Sequence, residues 1–183
     1  MLLTQRLLIT SRPTVASWHN GGMSLPGPTL ELIQHLQSRG IEPVLYGSQG
    51  VSLYLGAFKE CGDVDLLVDA EWLGGKWPEL SRHMHELGYA LTDEHEHEFT
   101  NGQGVVAAFA SKDIITRDGI APSIAEAITT KQVDNTTFQT LTPLAFKRAY
   151  EFSQKDGYRK DVRGKNDRQI ISLLAAYIAG QQQ

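Results

Sequence analysis

Two short apolar segments, at 41–46 and 63–69, most constrain the fold of this chain. Each has the length of a buried β-strand. Between them, Gly47 and Ser48 predict a sharp turn, and residues 49–55 predict a short helix that Gly56 ends. This order of strand, turn, helix and strand predicts a domain in which strands and helices are mixed.

Two antiparallel hairpins are predicted in the second half of the chain. An alternating strand at 94–99 precedes Asn101-Gly102, a pair typical of tight hairpin turns, and an apolar return strand follows at 105–109. The second hairpin turns around Asp134-Asn135, with strands at 127–132 and 137–141.

Helices are predicted before and after these hairpins. Thr29 is expected to cap a first helix that Gly40 ends, and a further helix is expected at 77–87. Thr142 as cap and Pro143 at the first helical position open the first of two C-terminal helices. The combined pattern predicts an α+β fold with a mixed sheet and C-terminal helices.

The composition fits one globular unit. The chain has 183 residues, of which 41% are hydrophobic and 21% charged. We expect residues 1–141 to form an α/β core, in which residues 1–10 are a strand or arm. Residues 142–183 would form a helical segment packed on that core.

A net charge of -4 argues against broad nucleic-acid binding, and Cys61, the single cysteine, fits a reducing cytoplasm. No segment approaches the length of a membrane span.

Asp63 and Asp65 form the first candidate site. Residues two apart in a strand point to the same face, so the two carboxylates stand side by side while Val64 enters the core. Like charges this close repel each other, and a hard divalent ion such as Mg²⁺ between them removes the repulsion. The alternative is a solvated strand end that carries two surface acids.

Gly47 and Ser48 form the second candidate site. Glycine allows a backbone to approach phosphate oxygens, and the start of the following helix offers free N–H groups and a positive dipole end. Ser48 adds a hydroxyl donor. A phosphate-binding turn followed by a metal-binding pair indicates phosphoryl or nucleotidyl transfer.

This arrangement resembles the signature of the polymerase-β-like nucleotidyltransferase superfamily. The similarity covers roughly residues 28–178. It is strongest toward the small bacterial lincosamide and aminoglycoside nucleotidyltransferases and the toxin components of abortive-infection systems. The C-terminal part resembles the helical tail of these families at two places, Thr142-Pro143-Leu144 and Lys165-Asn166-Asp167, each opening a helix.

The resemblance implies a mechanism. Mg²⁺ or Mn²⁺ would bind Asp63, Asp65 and the triphosphate of an NTP donor, while Gly47 and Ser48 would hold the outer phosphates. An acceptor hydroxyl would attack the α-phosphate, and pyrophosphate would leave. The C-terminal segment is basic. Its lysines and arginines are either solvated or form a phosphate-facing wall, with Lys147 and Lys165 as the expected nucleotide-binding residues.

The sequence departs from the family pattern at a third carboxylate. That group is expected on the return strand near Ala107 or Ala108, and neither residue can bind a metal. Glu96 and Glu98 on the preceding strand are the nearest substitutes, and Glu98 is the one we favour as a catalytic residue. Its alternative role is that of an exposed strand acid. In the tail, Asn166 and Gln169 replace charged residues of the family pattern, and Asp167 is shifted.

Histidines provide a weaker candidate for zinc. His95 and His97 are predicted to share one strand face, whereas His83 and His85, two apart on a helix, do not face each other. A zinc site would need ligands from both elements. The alternative roles are acceptor binding or plain surface exposure.

Two functions therefore stand beside each other. The first is a metal-dependent nucleotidyltransferase that acts on a small molecule or a protein. The acidic balance does not favour a nucleic-acid acceptor. The second is a catalytically silent nucleotide-binding or interaction module on the same fold, such as one component of a toxin–antitoxin pair. A bacterial cytoplasmic protein is expected in either case, and the exposed strands are compatible with a homodimer.

Overall fold

The computed structural model describes residues 24–56, 63–155 and 157–182, with backbone alone for 157–166. The predicted strand or arm at residues 1–10 and Cys61 lie outside these ranges. The helices of this part are α1 (Gly27–Ser38), α2 (Gly47–Leu55), α3 (Trp77–Glu86), α4 (Ile114–Arg117), α5 (Ile124–Ala127), α6 (Pro143–Ser153) and α7 (Gly157–Gly180), with a 3₁₀ turn at Ala70–Leu73. The strands are β1 (Val44–Leu45), β2 (Asp63–Val68), β3 (Tyr89–Asp93), β4 (Glu98–Asn101), β5 (Val106–Ser111), β6 (Ile128–Val133) and β7 (Thr136–Leu141).

All these strands belong to one mixed sheet. Its order is β3-β4-β5-β2-β1-β7-β6. Strand β2 runs parallel to β5, and β1 runs parallel to β7, whereas the other neighbouring pairs are antiparallel. The predicted α+β fold with a mixed sheet is confirmed.

The core lies between the sheet and its helices. Val64 and Leu66 on β2 and Leu45 on β1 are at most 1% exposed. The C-terminal helices α6 and α7 pack against each other and against α2. The boundary between residues 141 and 142 stays a prediction.

Phe146 of α6 packs against α2 and against Tyr46, the residue before it. It is fully buried, and its ring stacks on Tyr46 with centroids 6.4 Å apart. Gly50 of α2 faces this ring so closely that a Cβ there would overlap it. The absence of a side chain at Gly50 therefore allows α6 to reach the helix that follows β1.

The first predicted hairpin is wrong in its outer strand. Residues 94–97 form a turn, because the Asp93 carboxylate accepts hydrogen bonds from the backbone N–H groups of His95 and Glu96. His97 adopts a left-handed conformation with φ of 52°. Strand β3 before this turn was not predicted, and β4 begins only at Glu98.

The second hairpin and the Thr142 cap are confirmed. Strands β6 and β7 pair from Val133↔Thr136 outward, with Asp134 at φ 51° in the turn. The Thr142 hydroxyl accepts a hydrogen bond from the backbone N–H of Ala145.

Three helix starts differ from expectation. Helix α2 begins at Gly47 rather than at residue 49, so that Gly47 and Ser48 are its first residues instead of a separate turn. Helix α1 begins at Gly27, so that Thr29 lies inside it rather than at its cap. Residues 165–167 lie within α7, which begins at Gly157, instead of opening a helix. None of the helices in the described ranges combines the length and the apolar character that crossing a bilayer requires.

Candidate active site

The two candidate metal ligands lie at the start of β2, in the middle of the sheet. Asp63 is exposed, Asp65 is half-buried, and Val64 between them is fully buried. This alternation places both carboxylates on one face of the strand, as predicted from their spacing.

Gly47 lies directly against Asp65. The backbone N–H of Tyr46 donates to the carbonyl of Asp65 at 2.8 Å, which holds the end of β1 beside β2. Gly47 has a φ of 64°, and a Cβ built there would overlap the carboxylate of Asp65, with its Cγ only 2.6 Å away. Glycine is therefore required at position 47 for its conformation and for its closeness to the acid.

Helix α2 starts at this contact. Its first residues are Gly47 and Ser48, and Tyr46 before them provides no side-chain cap. The first N–H groups of a helix have no partner within the helix and favour anions. The predicted phosphate turn and the acid pair are thus brought together, with Gly47 in contact with Asp65.

Two buried polar side chains, Thr29 on α1 and Gln49 on α2, form hydrogen bonds that lead to the backbone of Asp63. The Gln49 amide donates to the carbonyl of Asp63 at 3.0 Å, and its oxygen accepts the Thr29 hydroxyl at 2.7 Å. Gln49 is 2% exposed and Thr29 is fully buried. These residues fix α1 and α2 to the first aspartate. Sequence reasoning missed this role because residue type alone does not reveal which polar groups are buried together.

Glu98 lies in the same row of the sheet as Asp65. Residue Asp65 pairs with Ala108 of β5, and Ala108 pairs with Glu98 of β4. Neighbouring strands are about 4.8 Å apart, so two strand spacings separate the backbones of the two acids. The small side chain of Ala108 lies between them. Glu94 and Glu96, expected on the same face as Glu98, lie instead in the turn before β4.

The three predicted catalytic acids do not form one metal cluster as they stand. Among residues that the structure describes, His35, His83 and Glu86 form the three-ligand group whose atoms all lie within 4.8 Å of one another. This group lies between α1 and α3, whereas the acid pair lies on β2. The shared strand face predicted for His95 and His97 is wrong, because both residues belong to the β3–β4 turn.

The predicted nucleotide-binding lysines lie on the C-terminal helices. The ammonium group of Lys147 on α6 forms an ion pair with Glu151 at 2.6 Å, one helical turn away. The backbone of Lys165 belongs to α7, and its side chain lies outside the described residues. Asp167, also on α7, is 3% exposed.

Comparison with protein sequences gives one relative of limited similarity. The chain is 28% identical over 134 residues to the uncharacterized protein YnaI of Bacillus subtilis (strain 168). This similarity covers 73% of the chain and 84% of YnaI. No protein-family model matches the sequence.

Solved structures share the architecture at low sequence identity. The lincosamide antibiotic adenylyltransferase LnuA, with lincomycin bound, matches with a TM-score of 0.58 and 14% identity over 84% of this chain and 98% of LnuA. An antigenic nucleotidyltransferase-like protein from Paracoccidioides brasiliensis matches with a TM-score of 0.56 and 17% identity, over 80% and 73% of the two chains. The antibiotic-resistance factor ANT(2'')-Ia matches with a TM-score of 0.53 and 11% identity, over 86% and 97%. The chain therefore has the polymerase-β-like nucleotidyltransferase fold.

Proposed function

We propose that this protein transfers a nucleoside monophosphate from an NTP to a hydroxyl acceptor with the help of a divalent metal ion. The observation that carries the proposal is the contact between Gly47 and Asp65. It brings the start of α2 beside the acid pair, which supports one shared site. A triphosphate on the helix N-terminus would then lie beside the carboxylates.

The acid pair suits Mg²⁺ or Mn²⁺. Two carboxylates on one strand face provide hard oxygen ligands, and Asp63 is exposed enough to leave room for water and phosphate oxygens. When bound, such ions supply positive charge to the triphosphate and to the attacking and leaving oxygens. Asp63 and Asp65 would hold such ions, and Gln49, supported by Thr29, holds the backbone of Asp63.

The start of α2 would bind the outer phosphates. Its uncapped N–H groups and the Ser48 hydroxyl are the donors, and the dipole of α2 favours a negative charge at this end. Lys147 could join them only by leaving Glu151. A nucleotide-binding role for Lys165 stays a prediction.

Glu98 is proposed as the base that takes the proton from the acceptor hydroxyl. It lies across Ala108 from Asp65, and it does not share a three-ligand cluster with the acid pair. This placement favours a role for Glu98 in proton transfer over a role as a metal ligand. General-base catalysis contributes about 10²–10⁴-fold to a rate. Glu98→Gln should therefore lower turnover by about 10²-fold or more, whereas Glu96→Gln, in the exposed turn, should leave it near wild type.

A small hydroxylated molecule or a protein is the proposed acceptor. LnuA was crystallised with lincomycin, and ANT(2'')-Ia is an antibiotic-resistance factor. The net charge of -4 also agrees better with such an acceptor than with a nucleic acid.

Ala108 favours a second candidate function, a catalytically silent nucleotide-binding module. It occupies the position beside Asp65 where the family resemblance implies a third carboxylate. If Glu98 does not replace that group, the site would bind a nucleotide without turning it over.

Pyrophosphate release tests these two candidates. Each NTP is supplied with Mg²⁺ or Mn²⁺, a panel of hydroxylated small molecules, the protein itself and total RNA. Release that depends on an acceptor and is lost in Asp63→Asn/Asp65→Asn supports the transferase. Release no greater than that of the double variant, with nucleotide binding retained, supports the silent module. Absence of both release and binding contradicts both candidates.

A further inference from the structure

Three side chains outside the acid pair converge between α1 and α3. They are His35 on α1 and His83 and Glu86 on α3. The Glu86 Oε2 atom lies 3.3 Å from Nδ1 of His83 and 3.7 Å from Nε2 of His35. The two imidazole rings meet edge to face, with centroids 6.3 Å apart. Two separate helices thus supply the two histidines.

His83 is buried and His35 is half-buried, and a ring nitrogen that carries no proton can bind a metal through its lone pair. The side chain of His83 is 5% exposed, and that of His35 is 17% exposed. Within the described part of the chain, the buried Nε2 atom of His35 has no hydrogen-bond partner. Burial, and then the charge of Arg39, hold the pKa of His35 below its ordinary value. Neutral imidazole is the form that binds metals.

Glu86 supplies the negative charge of the group. Its Oε2 atom lies within hydrogen-bonding distance of Nδ1 of the His83 ring, and a bound ion would replace that hydrogen bond. The Arg39 guanidinium lies 2.7 Å from Oε2 of Glu86. Metal-bound carboxylates commonly have a hydrogen-bond partner of this kind. On the other side of the His83 ring, Glu79 faces Nε2 at 3.8 Å.

Two of the three separations are close to those between ligands of one tetrahedral ion, and the third is at most 4.8 Å. Zinc–nitrogen and zinc–oxygen bonds of about 2.0–2.1 Å place neighbouring ligand atoms roughly 3.3–3.4 Å apart. The His83–Glu86 distance already has this value, and the His35–Glu86 distance exceeds it by a few tenths of an ångström. Two imidazoles and one carboxylate suit zinc and similar transition ions better than Mg²⁺.

We propose that His35, His83 and Glu86 form a second metal site, for a divalent transition ion of the zinc type, that links α1 to α3. The partial exposure of Glu86 gives water access to the remaining coordination position. The site is separate from the acid pair on β2. Because α1 also carries Thr29, the ion would stabilise the helix that supports Asp63 through Gln49.

Zinc titration of the full-length protein tests the second site. The Asp63→Asn/Asp65→Asn variant is used as the background, with Mg²⁺ in excess, so that the acid pair does not contribute. Isothermal titration with Zn²⁺ and the visible absorption of bound Co²⁺ report the stoichiometry and the geometry. We expect His35→Gln and Glu86→Gln each to lose one Zn²⁺ per chain and the tetrahedral Co²⁺ absorption.

His85→Gln is the matched control. His85 lies on the same helix, α3, but is exposed and outside the cluster, so its variant should keep the ion. If His35→Gln fails to fold, Glu86→Gln still tests the proposal, because Glu86 is at the surface and its replacement should not prevent folding. Unchanged stoichiometry and absorption in the folded Glu86→Gln variant would overturn the proposal, as would equal losses in His85→Gln.

Discussion

At the scale of single residues, the feature on which the proposed site most depends is the close approach of Gly47 to the Asp65 carboxylate. It depends on a positive φ and on the absence of a side chain, and both requirements fall on the same glycine. An Asp-x-Asp strand is common on protein surfaces. The contact with a helix start is what distinguishes this pair from two solvated acids.

Gly47→Ala should therefore disturb both stability and binding. Left-handed backbone at a non-glycine residue costs about 1–3 kcal/mol, and the added methyl group must also displace the Asp65 carboxylate. Gly40→Ala is the control, because Gly40 has a φ of 75° but open space around its Cβ. We expect urea denaturation to show a larger loss for Gly47→Ala, and nucleotide binding to be lost in that variant alone. Equal losses of stability with binding retained in both variants would contradict the contact.

The same scale shows what the sequence could and could not predict. The spacing of Asp63 and Asp65 predicted a shared face, because strand geometry fixes it. The grouping of Thr29 with Gln49, and of His35 with His83, depends on how distant helices pack. No local pattern encodes that packing, so the sequence predicted a cap at Thr29 and no role for His35.

At the scale of elements, the accuracy of prediction followed the strength of the local turn signals. The β6–β7 hairpin was predicted because Asp134-Asn135 suits a turn with positive φ. The segment 94–97 was misassigned to a strand because its alternating acids and histidines imitate strand periodicity. The Asp93 side chain closes a turn there instead.

Gln49 links three elements, and its removal should weaken all three. Gln49→Leu removes the acceptor of the buried Thr29 hydroxyl and the donor to the part-buried carbonyl of Asp63. Such losses cost about 1–3 kcal/mol. Gln37→Leu is the matched control, because the Gln37 amide donates to the carbonyl of Thr137 at the exposed surface. The free energy of unfolding should fall clearly in the first variant and by less than about 0.5 kcal/mol in the second.

A double-mutant cycle with Thr29→Val separates the effect of the Thr29–Gln49 hydrogen bond from a general loss of packing. If the two residues act through one hydrogen bond, the effects of Thr29→Val and Gln49→Leu should not add. Strict additivity would show that Thr29 and Gln49 are energetically independent.

At the scale of the whole molecule, the C-terminal helices are joined to the site through α2. Phe146 contacts the ring of Tyr46, whose backbone binds Asp65, and it closes over Gly50. The helical part thus supports the start of α2 as well as the core.

Phe146→Ala tests this support. Removing a fully buried phenylalanine costs about 3–5 kcal/mol, and we expect the midpoint of thermal unfolding to fall accordingly. Phe152→Ala on the same helix is the control, because Phe152 is 39% exposed and should cost less than about 1 kcal/mol. Similar unfolding temperatures for the two variants would contradict the docking of α6 on α2.

The central claim is that Asp63, Asp65 and the start of α2 form one site for a metal-bound NTP. The most direct measurement is the unfolding temperature with and without Mg²⁺ and each NTP, for the wild type, Asp65→Asn and Asp113→Asn. Asp113 is an exposed acid outside the site and serves as the control.

Ligand at about 100 times its Kd should stabilise the folded wild type by about 2.7 kcal/mol, which raises the unfolding temperature by roughly 5–10 °C. We predict this rise with at least one NTP, its retention in Asp113→Asn and its loss in Asp65→Asn. A rise that persists in Asp65→Asn, or no rise in the wild type with any of the four NTPs, would contradict the account.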